Sequence, residues 1–218
     1  MTGVSLLALS VDPAAAATLS DWSDGTDIAA RFAEANITVR SFTMPSGSML
    51  PTLRPGDVLL ADSRVAGQTP HRGDMIVFQA SDSPSTYVKR VVGLPGDRVA
   101  MQDGRLVLNG TVVPWQAKGS LYTTLSLSNP VGAVAAEALP GELPYEIVDF
   151  NKQGHFDTTA EVTVPAGSVF VLGDNRDNSL DSRSMGPIAV DHIVGRTIYR
   201  LQPDAGWLVP RETVPGLD

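Results

Sequence analysis

Short apolar runs separated by tight turns fill the chain from residue 37 onward. The runs are rich in valine, isoleucine and leucine and are bounded by glycine, proline, asparagine or aspartate, which is the pattern of β-strands rather than of helices. Strands are predicted at residues 37–42, 58–61, 75–78, 86–94, 98–101, 105–108, 111–113, 162–164, 168–172 and 193–201.

Tight-turn dipeptides connect several of these runs. Asp103-Gly104 and Asn109-Gly110 are two-residue hairpin signals, and they divide residues 98–113 into a meander of three strands. Many short strands with turns at regular intervals are typical of closed or sandwiched sheets. The predicted fold class is therefore all-β, with an antiparallel β-barrel or sandwich core.

Residues 115–160 differ from the rest, because glycine, serine and proline interrupt weak strands there. We expect this segment to be a small β-rich subdomain inserted into the core. The core then comprises residues 37–114 and 161–202, and residues 203–218 form a C-terminal tail.

Residues 1–36 are predicted to be a lead-in with one short helix, at residues 28–35, and no clear transmembrane span. The apolar run at residues 4–11 is shorter than the roughly 20 residues that cross a bilayer. No lysine or arginine precedes it, as one would in a signal peptide. A strand or an interfacial contact is favoured; a remnant of a membrane anchor and a wrongly chosen start are the alternatives.

The composition limits the classes of function. A net charge of −8 argues against nucleic-acid binding, which needs a basic surface. The absence of cysteine excludes a thiol nucleophile, a cysteine zinc site and a disulfide framework. The three histidines, His71, His155 and His192, are far apart in the sequence, so a histidine-based metal site is not expected. The predicted function includes no metal and no cofactor.

Ser48 lies in a turn-like run, Met44-Pro45-Ser46-Gly47-Ser48-Met49. Proline fixes φ and glycine permits close backbone approach, so the turn can present a hydroxyl and an amide together, as acyl transfer requires. Taken alone, the run is more typical of an ordinary serine–glycine turn.

Lys89 lies inside the apolar strand at residues 86–94, and it is one of only three lysines in the chain. Burial there would lower its pKa and allow the neutral amine to act as the base for a serine. The alternative is an edge-strand lysine whose ammonium lies in water. Arg90 should point to the opposite face, where a carboxylate could pair with it.

A polar loop at residues 173–183 follows the predicted strand at 168–172. A calcium loop starting at Asp177 fails, because Ser182 and Ile188 replace the glycine and glutamate that such a loop needs. Two interpretations remain: a self-bonded loop with Asp–Arg pairs, and a loop whose serine orients the lysine amine. The Ser48 to Lys89 spacing excludes the S-x-x-K motif, and no G-x-S-x-G elbow is present.

Together these segments resemble signal peptidase I, the Ser/Lys leader peptidase family. The similarity covers roughly residues 37–201. The matching motifs are Pro45-Ser46-Gly47-Ser48-Met49-Leu50-Pro51-Thr52-Leu53, Gly56-Asp57, Arg72-Gly73-Asp74-Met75-Ile76-Val77-Phe78, Tyr87-Val88-Lys89-Arg90-Val91-Val92-Gly93-Leu94-Pro95-Gly96-Asp97 and Gly173-Asp174-Asn175-Arg176-Asp177-Asn178-Ser179-Leu180-Asp181-Ser182-Arg183.

The resemblance implies a role for each matched residue. Ser48 would be the nucleophile and Lys89 the general base, and Ser179 would orient Lys89. The Ser48 amide and the Ser46 hydroxyl would form the oxyanion hole. Four residues would line the substrate pockets, namely Met44, Met49, Tyr87 and Val88. Two structural pairs would shape the site, namely Arg90 with Asp174 and Asp181 with Arg183.

The implied function is removal of N-terminal signal peptides from exported preproteins with Ala-x-Ala cleavage sites. The implied location is the outer, periplasmic side of the bacterial cell membrane, at the membrane surface. The family normally has transmembrane helices before the serine motif, but Arg31, Glu34 and Asn36 interrupt residues 28–37 here. A shortened form, a soluble periplasmic relative and attachment through another apolar surface are the options. A peptidase specialised for pilins or one secretion substrate, and a non-catalytic peptide-binding β-module, are the alternative functions.

Overall fold

The computed structural model describes residue 32 and residues 35–80, 85–123, 131–150, 153–202, 206–208 and 214. These residues form antiparallel β-sheets with very little helix, which confirms the all-β prediction. The predicted lead-in helix lies outside the described residues except for Phe32 and Ala35, and most of the predicted C-terminal tail also lies outside them. Among the described residues, no helix is long and apolar enough to cross a membrane.

The strands follow the predicted positions closely in the core. They are β1 (Val39–Thr43), β2 (Val58–Asp62), β3 (Met75–Gln79), β4 (Thr86–Gly93), β5 (Arg98–Gln102), β6 (Arg105–Leu108), β7 (Thr111–Val112), β8 (Trp115–Tyr122), β9 (Val131–Glu137), β10 (Tyr145–Asp149), β11 (Val162–Thr163), β12 (Ser168–Leu172), β13 (Ile188–Ala189), β14 (Ile193–Gln202) and β15 (Gly206–Trp207). One short helix, α1 (Ser182–Met185), and two 3₁₀ turns, Ser63–Val65 and Val190–His192, complete the described elements.

The main sheet has the order β1-β2-β14-β3-β4-β12-β13, with β15 paired to β14. All its pairings are antiparallel. Among the described strands β1 and β13 stay at opposite ends of this order, so the sheet is open and the barrel alternative of the prediction is not realised. Strand β4 lies inside the sheet, between β3 and β12, and is buried from Val88 to Gly93.

Two smaller sheets accompany the main sheet. Strands β5, β6, β7 and β11 form one of them, and its two hairpins turn at the predicted dipeptides. Asp103, Gly104, Asn109 and Gly110 all have positive φ, as a two-residue type I′ turn requires.

The other small sheet has the order β10-β9-β8 and lies within the predicted insertion. Its strands β8 and β9 are eight and seven residues long, longer than the weak strands expected from the sequence. It contacts the core where Leu50 packs with Val148 and Phe150 in one apolar cluster. The division of the chain into core, insertion and tail stays a prediction.

Candidate active site

Ser48 and Lys89 meet in a buried position. The Lys89 Nζ atom is 2.7 Å from Ser48 Oγ and 2.9 Å from the carbonyl oxygen of Val88. Ser48 is 7% exposed and Lys89 is 3% exposed. The edge-strand alternative for Lys89 is therefore wrong: its amine is inside the protein and against the serine.

Burial changes the protonation of Lys89. Desolvation lowers the pKa of Lys89 to about 8, although the charges of Asp181 and Asp174 oppose the shift. Strand β4 is an inner strand of the sheet, with Ile76 of β3 directly opposite Lys89, and the turn that carries Ser48 lies against the Lys89 amine. An amine with this pKa can accept a proton near neutral pH, which an exposed lysine cannot do efficiently.

Asn175 holds the turn that carries Ser48. Its side-chain Nδ2 donates to the Gly47 carbonyl at 2.9 Å, and its backbone N–H donates to the Ser48 carbonyl at 3.1 Å. Asn175 lies in one of the motifs that carry the family resemblance, but the sequence analysis assigned no role to it. Ser46 is exposed beside this turn, and its Oγ donates to Ser48 Oγ at 3.3 Å.

Ser179 forms no hydrogen bond with the Lys89 amine among the described residues. Its buried hydroxyl interacts with the Asp181 carboxylate and helps to lower the pKa of that group. The hydroxyl lies against Gly173, where an added Cβ would be 2.2 Å from Ser179 Oγ. The expected hydrogen bond from Ser179 to Lys89 is thus not formed, because the loop conformation turns the hydroxyl toward Gly173 and Lys89 Nζ bonds Ser48 and Val88.

The two expected ion pairs are formed. Arg90 donates to both carboxylate oxygens of Asp174 at 2.8 Å and 2.7 Å, on the face of β4 opposite Lys89. Arg183 donates to Asp181 at 2.9 Å and 2.8 Å. Burial would raise the pKa of Asp181, but the hydrogen bonds and charge of Arg183 outweigh it and lower that pKa. Asp181 therefore stays ionised; it also accepts from the Gly173 amide and from the first turn of α1.

A second buried network was missed from the sequence. Arg176 donates to both oxygens of Glu137, and the Tyr145 hydroxyl donates to Glu137 as well. The Arg90 guanidinium lies 4.1 Å from the centre of the Tyr145 ring. Burial, together with the Glu137 carboxylate, raises the pKa of Tyr145 well above its usual value, so its hydroxyl remains a donor. Glu137 and Tyr145 come from the predicted insertion, where the sequence offered no chemical motif.

The four expected pocket residues fall into two groups. Met44, Met49 and Val88 belong to one buried apolar cluster. Tyr87 packs against Phe78, with ring centres 5.6 Å apart, beside a different cluster. Neighbouring residues of a strand point to opposite faces, which is why Tyr87 and Val88 separate. Among the described residues, no three histidine or carboxylate side chains are grouped to hold a metal ion.

Comparisons with known proteins agree on one family. The family model described as signal peptidase, peptidase S26, matches residues 27–202. Signal peptidase I of Pseudomonas aeruginosa is 37% identical over 161 residues, which cover 66% of this chain and 55% of that protein. Signal peptidase I of Pseudomonas fluorescens is 35% identical over 183 residues, 72% of this chain and 63% of that protein. Signal peptidase I of Bacillus caldolyticus is 34% identical over 169 residues, 75% of this chain and 79% of that protein. The matched region thus spans between half and two thirds of the two Pseudomonas proteins.

Proposed function

This chain belongs to the signal peptidase family, peptidase S26, and on that premise we propose that it is a serine endopeptidase that removes signal peptides. The observation that carries the proposal is the buried contact of 2.7 Å between Lys89 Nζ and Ser48 Oγ. A hydroxyl next to an amine whose pKa is lowered to about 8 is a nucleophile with its base in place.

The proposed reaction has two stages. Neutral Lys89 accepts the proton of Ser48 Oγ while that oxygen attacks the scissile carbonyl carbon. The Ser48 amide and the Ser46 hydroxyl stabilise the negative oxygen of the tetrahedral intermediate. Protonated Lys89 then gives its proton to the departing amine as the peptide bond breaks. Lys89 next takes a proton from water while the water oxygen attacks the acyl carbon. The ester bond to Ser48 Oγ then breaks, and protonated Lys89 returns the proton to that oxygen.

The remaining expected residues have supporting roles in this proposal. Met44, Met49, Tyr87 and Val88 line the pockets for the small side chains of the cleavage site. The ion pairs of Arg90 with Asp174 and of Arg183 with Asp181 shape the loop next to Ser48. Ser179 acts on the base through its neighbour Asp181, whose charge raises the pKa of Lys89; a direct hydrogen bond is not part of the proposal.

The proposed substrates are exported preproteins with an Ala-x-Ala type cleavage site, bound as an extended strand beside the sheet. Relatives named signal peptidase I come from bacteria. We therefore place the reaction at the outer, periplasmic side of the bacterial cell membrane, in contact with the membrane surface. The net charge of −8 supports a peptide rather than a nucleic acid as the partner.

Cleavage of a preprotein with an Ala-x-Ala site tests the function directly. Wild type, Ser48→Ala and Lys89→Ala are compared, with and without lipid vesicles, by gel and by mass of the products. Ser120→Ala and Lys118→Ala are matched controls, because both side chains are exposed on β8. The proposal expects cleavage by wild type and both controls and none by the two site variants. Equal cleavage by Lys89→Ala, or none by wild type in any condition, contradicts it.

A further inference from the structure

Glu137 carries a buried carboxylate and is distant in sequence from both Ser48 and Lys89. It ends β9, is 1% exposed, and accepts hydrogen bonds from both terminal nitrogens of Arg176. The Tyr145 hydroxyl of β10 donates to the same carboxylate. Because Arg176 belongs to the loop after β12, this group of three side chains joins the three-stranded sheet to the loop beside Ser48.

A buried ion pair adds little net stability, since loss of hydration offsets most of the attraction between the charges. Its usual advantage is a defined geometry, because a guanidinium and a carboxylate meet through two parallel hydrogen bonds. Arg176 also donates from Nε to the Gly173 carbonyl at 3.2 Å. The pair therefore fixes the position of the loop more than it stabilises the fold.

Backbone hydrogen bonds extend this connection to the serine. The Val148 amide of β10 donates to the Asp174 carbonyl at 2.9 Å, and the Arg176 amide donates to the Val148 carbonyl at 2.9 Å. Between these bonds lies Asn175, which donates to the Gly47 and Ser48 carbonyls at 2.9 Å and 3.1 Å. Each step from Glu137 to the Ser48 turn is thus a direct contact.

We propose that Glu137 is a positioning residue that, through Arg176 and Asn175, keeps the Ser48 hydroxyl aligned with the Lys89 amine. Without the carboxylate, the buried Arg176 charge must find another acceptor, and the loop at 174–176 must move to reach it. Asn175 moves with the loop, and the Gly47 and Ser48 carbonyls lose their donors. The kinetic part of this inference rests on the proposed function; the structural part does not.

Glu137→Gln in the full chain tests the connection, because glutamine keeps the shape and one acceptor oxygen but removes the charge. Glu161→Gln is the matched control, since Glu161 is 44% exposed and forms a surface pair with Arg98 at 3.6 Å. Hydrogen exchange of residues 47–53 and 174–176 is measured by mass spectrometry, and kcat and KM are measured on an Ala-x-Ala peptide.

In Glu137→Gln, we expect exchange of both segments to rise about tenfold or more, kcat to fall about tenfold or more, and KM to stay within about twofold. Glu161→Gln should match wild type in all three. Wild-type exchange in these segments of a folded Glu137→Gln protein overturns the inference. So does a variant with a lower Tm whose kcat, measured well below that Tm, is unchanged, because Glu137 would then be only a structural residue.

Exchange does not depend on cleavage, so the two proposals can fail separately. A wild type that cleaves no substrate contradicts the proposed function, while the exchange result still decides the role of Glu137. If Glu137→Gln does not fold, Tyr145→Phe is the second variant, since it removes one donor to Glu137 and keeps the ring under Arg90. Faster exchange of residues 47–53 and 174–176 supports the inference, and unchanged exchange overturns it.

Discussion

The buried surroundings of Lys89 disfavour the positively charged form of its amine. An exposed lysine is protonated at neutral pH, but burial lowers the pKa of Lys89 to about 8 even with Asp181 and Asp174 acting against the shift. About a tenth of the molecules then carry the neutral amine at pH 7. The folded state is less stable for this reason wherever Lys89 remains protonated, so a property useful for chemistry weakens the fold.

The first prediction concerns Lys89→Met and stability. The pKa falls from 10.5 in the unfolded chain to about 8 in the folded protein. The destabilisation of the fold by the charged Lys89 amine is therefore complete below about pH 8 and vanishes above about pH 10.5. Between these values the unfolded chain binds more protons than the folded protein, so stability rises with pH. As the pH rises across this range, we expect the free energy of unfolding of the wild type to increase by on the order of 3 kcal/mol relative to that of Lys89→Met. Urea unfolding of both proteins at each pH measures it; parallel curves would contradict the low pKa.

The second prediction concerns Ser46→Ala. The Ser46 hydroxyl lies 3.3 Å from Ser48 Oγ, close enough to stabilise the oxyanion in the proposed mechanism. Removal of one such donor lowers kcat about 100- to 1,000-fold in other enzymes, with little effect on KM. Steady-state kinetics on an Ala-x-Ala peptide checks this, with Ser120→Ala as the control. A Ser46→Ala enzyme with wild-type kcat would remove Ser46 from the oxyanion hole.

Sequence reasoning identified the residues of this site better than their contacts. Lys89 and Arg90 stand out as charges in an apolar strand, whereas Ser48, in a turn that looks ordinary by itself, was singled out by its combination with Lys89 and by the resemblance of the motifs to signal peptidase I. The contacts of Ser179 depend on the path of an irregular loop, which no periodicity specifies. Glu137 pairs with a residue that is distant in the chain, so only the folded structure reveals it.

At the level of elements, the loop after β12 packs closely against the turn after β1. Gly173 is where they meet: an added Cβ would lie 2.2 Å from Ser179 Oγ and 2.6 Å from the Ser48 carbonyl oxygen. Both distances are shorter than van der Waals contact. Because one of these atoms is backbone, a side chain at position 173 must displace the turn that carries the serine.

The third prediction is that Gly173→Ala lowers kcat/KM by about 100-fold or more, since a shift of about 1 Å at a reacting group has an effect of this size. Gly206→Ala is the control, because nothing lies within 4 Å of an added Cβ there. Kinetics are compared with circular dichroism to confirm that both variants are folded. Wild-type activity in Gly173→Ala would show that the turn can yield without loss of alignment.

The elements themselves were predictable where strands are rich in β-branched residues, and less so elsewhere. The predicted positions of β3, β6 and β12 agree with the structure to within a residue. Strands β8 and β9 contain alanine, glycine and serine, which have low strand propensity. They form because β8 pairs with β9 and β9 also pairs with β10, and a pairing of this kind is not visible in one segment of sequence.

At the level of the whole molecule, the buried Arg176–Glu137 pair and the contact of Arg90 with the Tyr145 ring connect the three-stranded sheet to the core. Arg90 lies over the Tyr145 ring of β10 while its guanidinium binds Asp174. Asp174 in turn accepts a hydrogen bond from Thr52 Oγ1 at 2.5 Å, in the turn that follows Ser48. A change at Arg90 is therefore expected to affect both stability and the site.

The fourth prediction is that Arg90→Ala lowers the free energy of unfolding by about 3–5 kcal/mol, because it leaves the buried Asp174 charge without its partner. Arg98→Ala is the control: its pair with Glu161 is exposed, and such pairs contribute about 0–1 kcal/mol. Urea unfolding measures both. Equal effects of the two substitutions would mean that water reaches the Arg90–Asp174 pair.

The central claim is that a neutral Lys89 activates Ser48, and the acylation rate as a function of pH tests it most directly. A nitrophenyl ester of an Ala-x-Ala peptide is mixed with enzyme between about pH 6 and about pH 10, and the burst of nitrophenol gives the rate. Mass spectrometry identifies the acylated residue. We predict an adduct on Ser48 and a burst rate that rises with pH to half its maximum near the lowered pKa of about 8, with no burst in Lys89→Ala. A burst in Lys89→Ala that equals the wild-type burst, or a wild-type rate that does not change with pH, would contradict the claim.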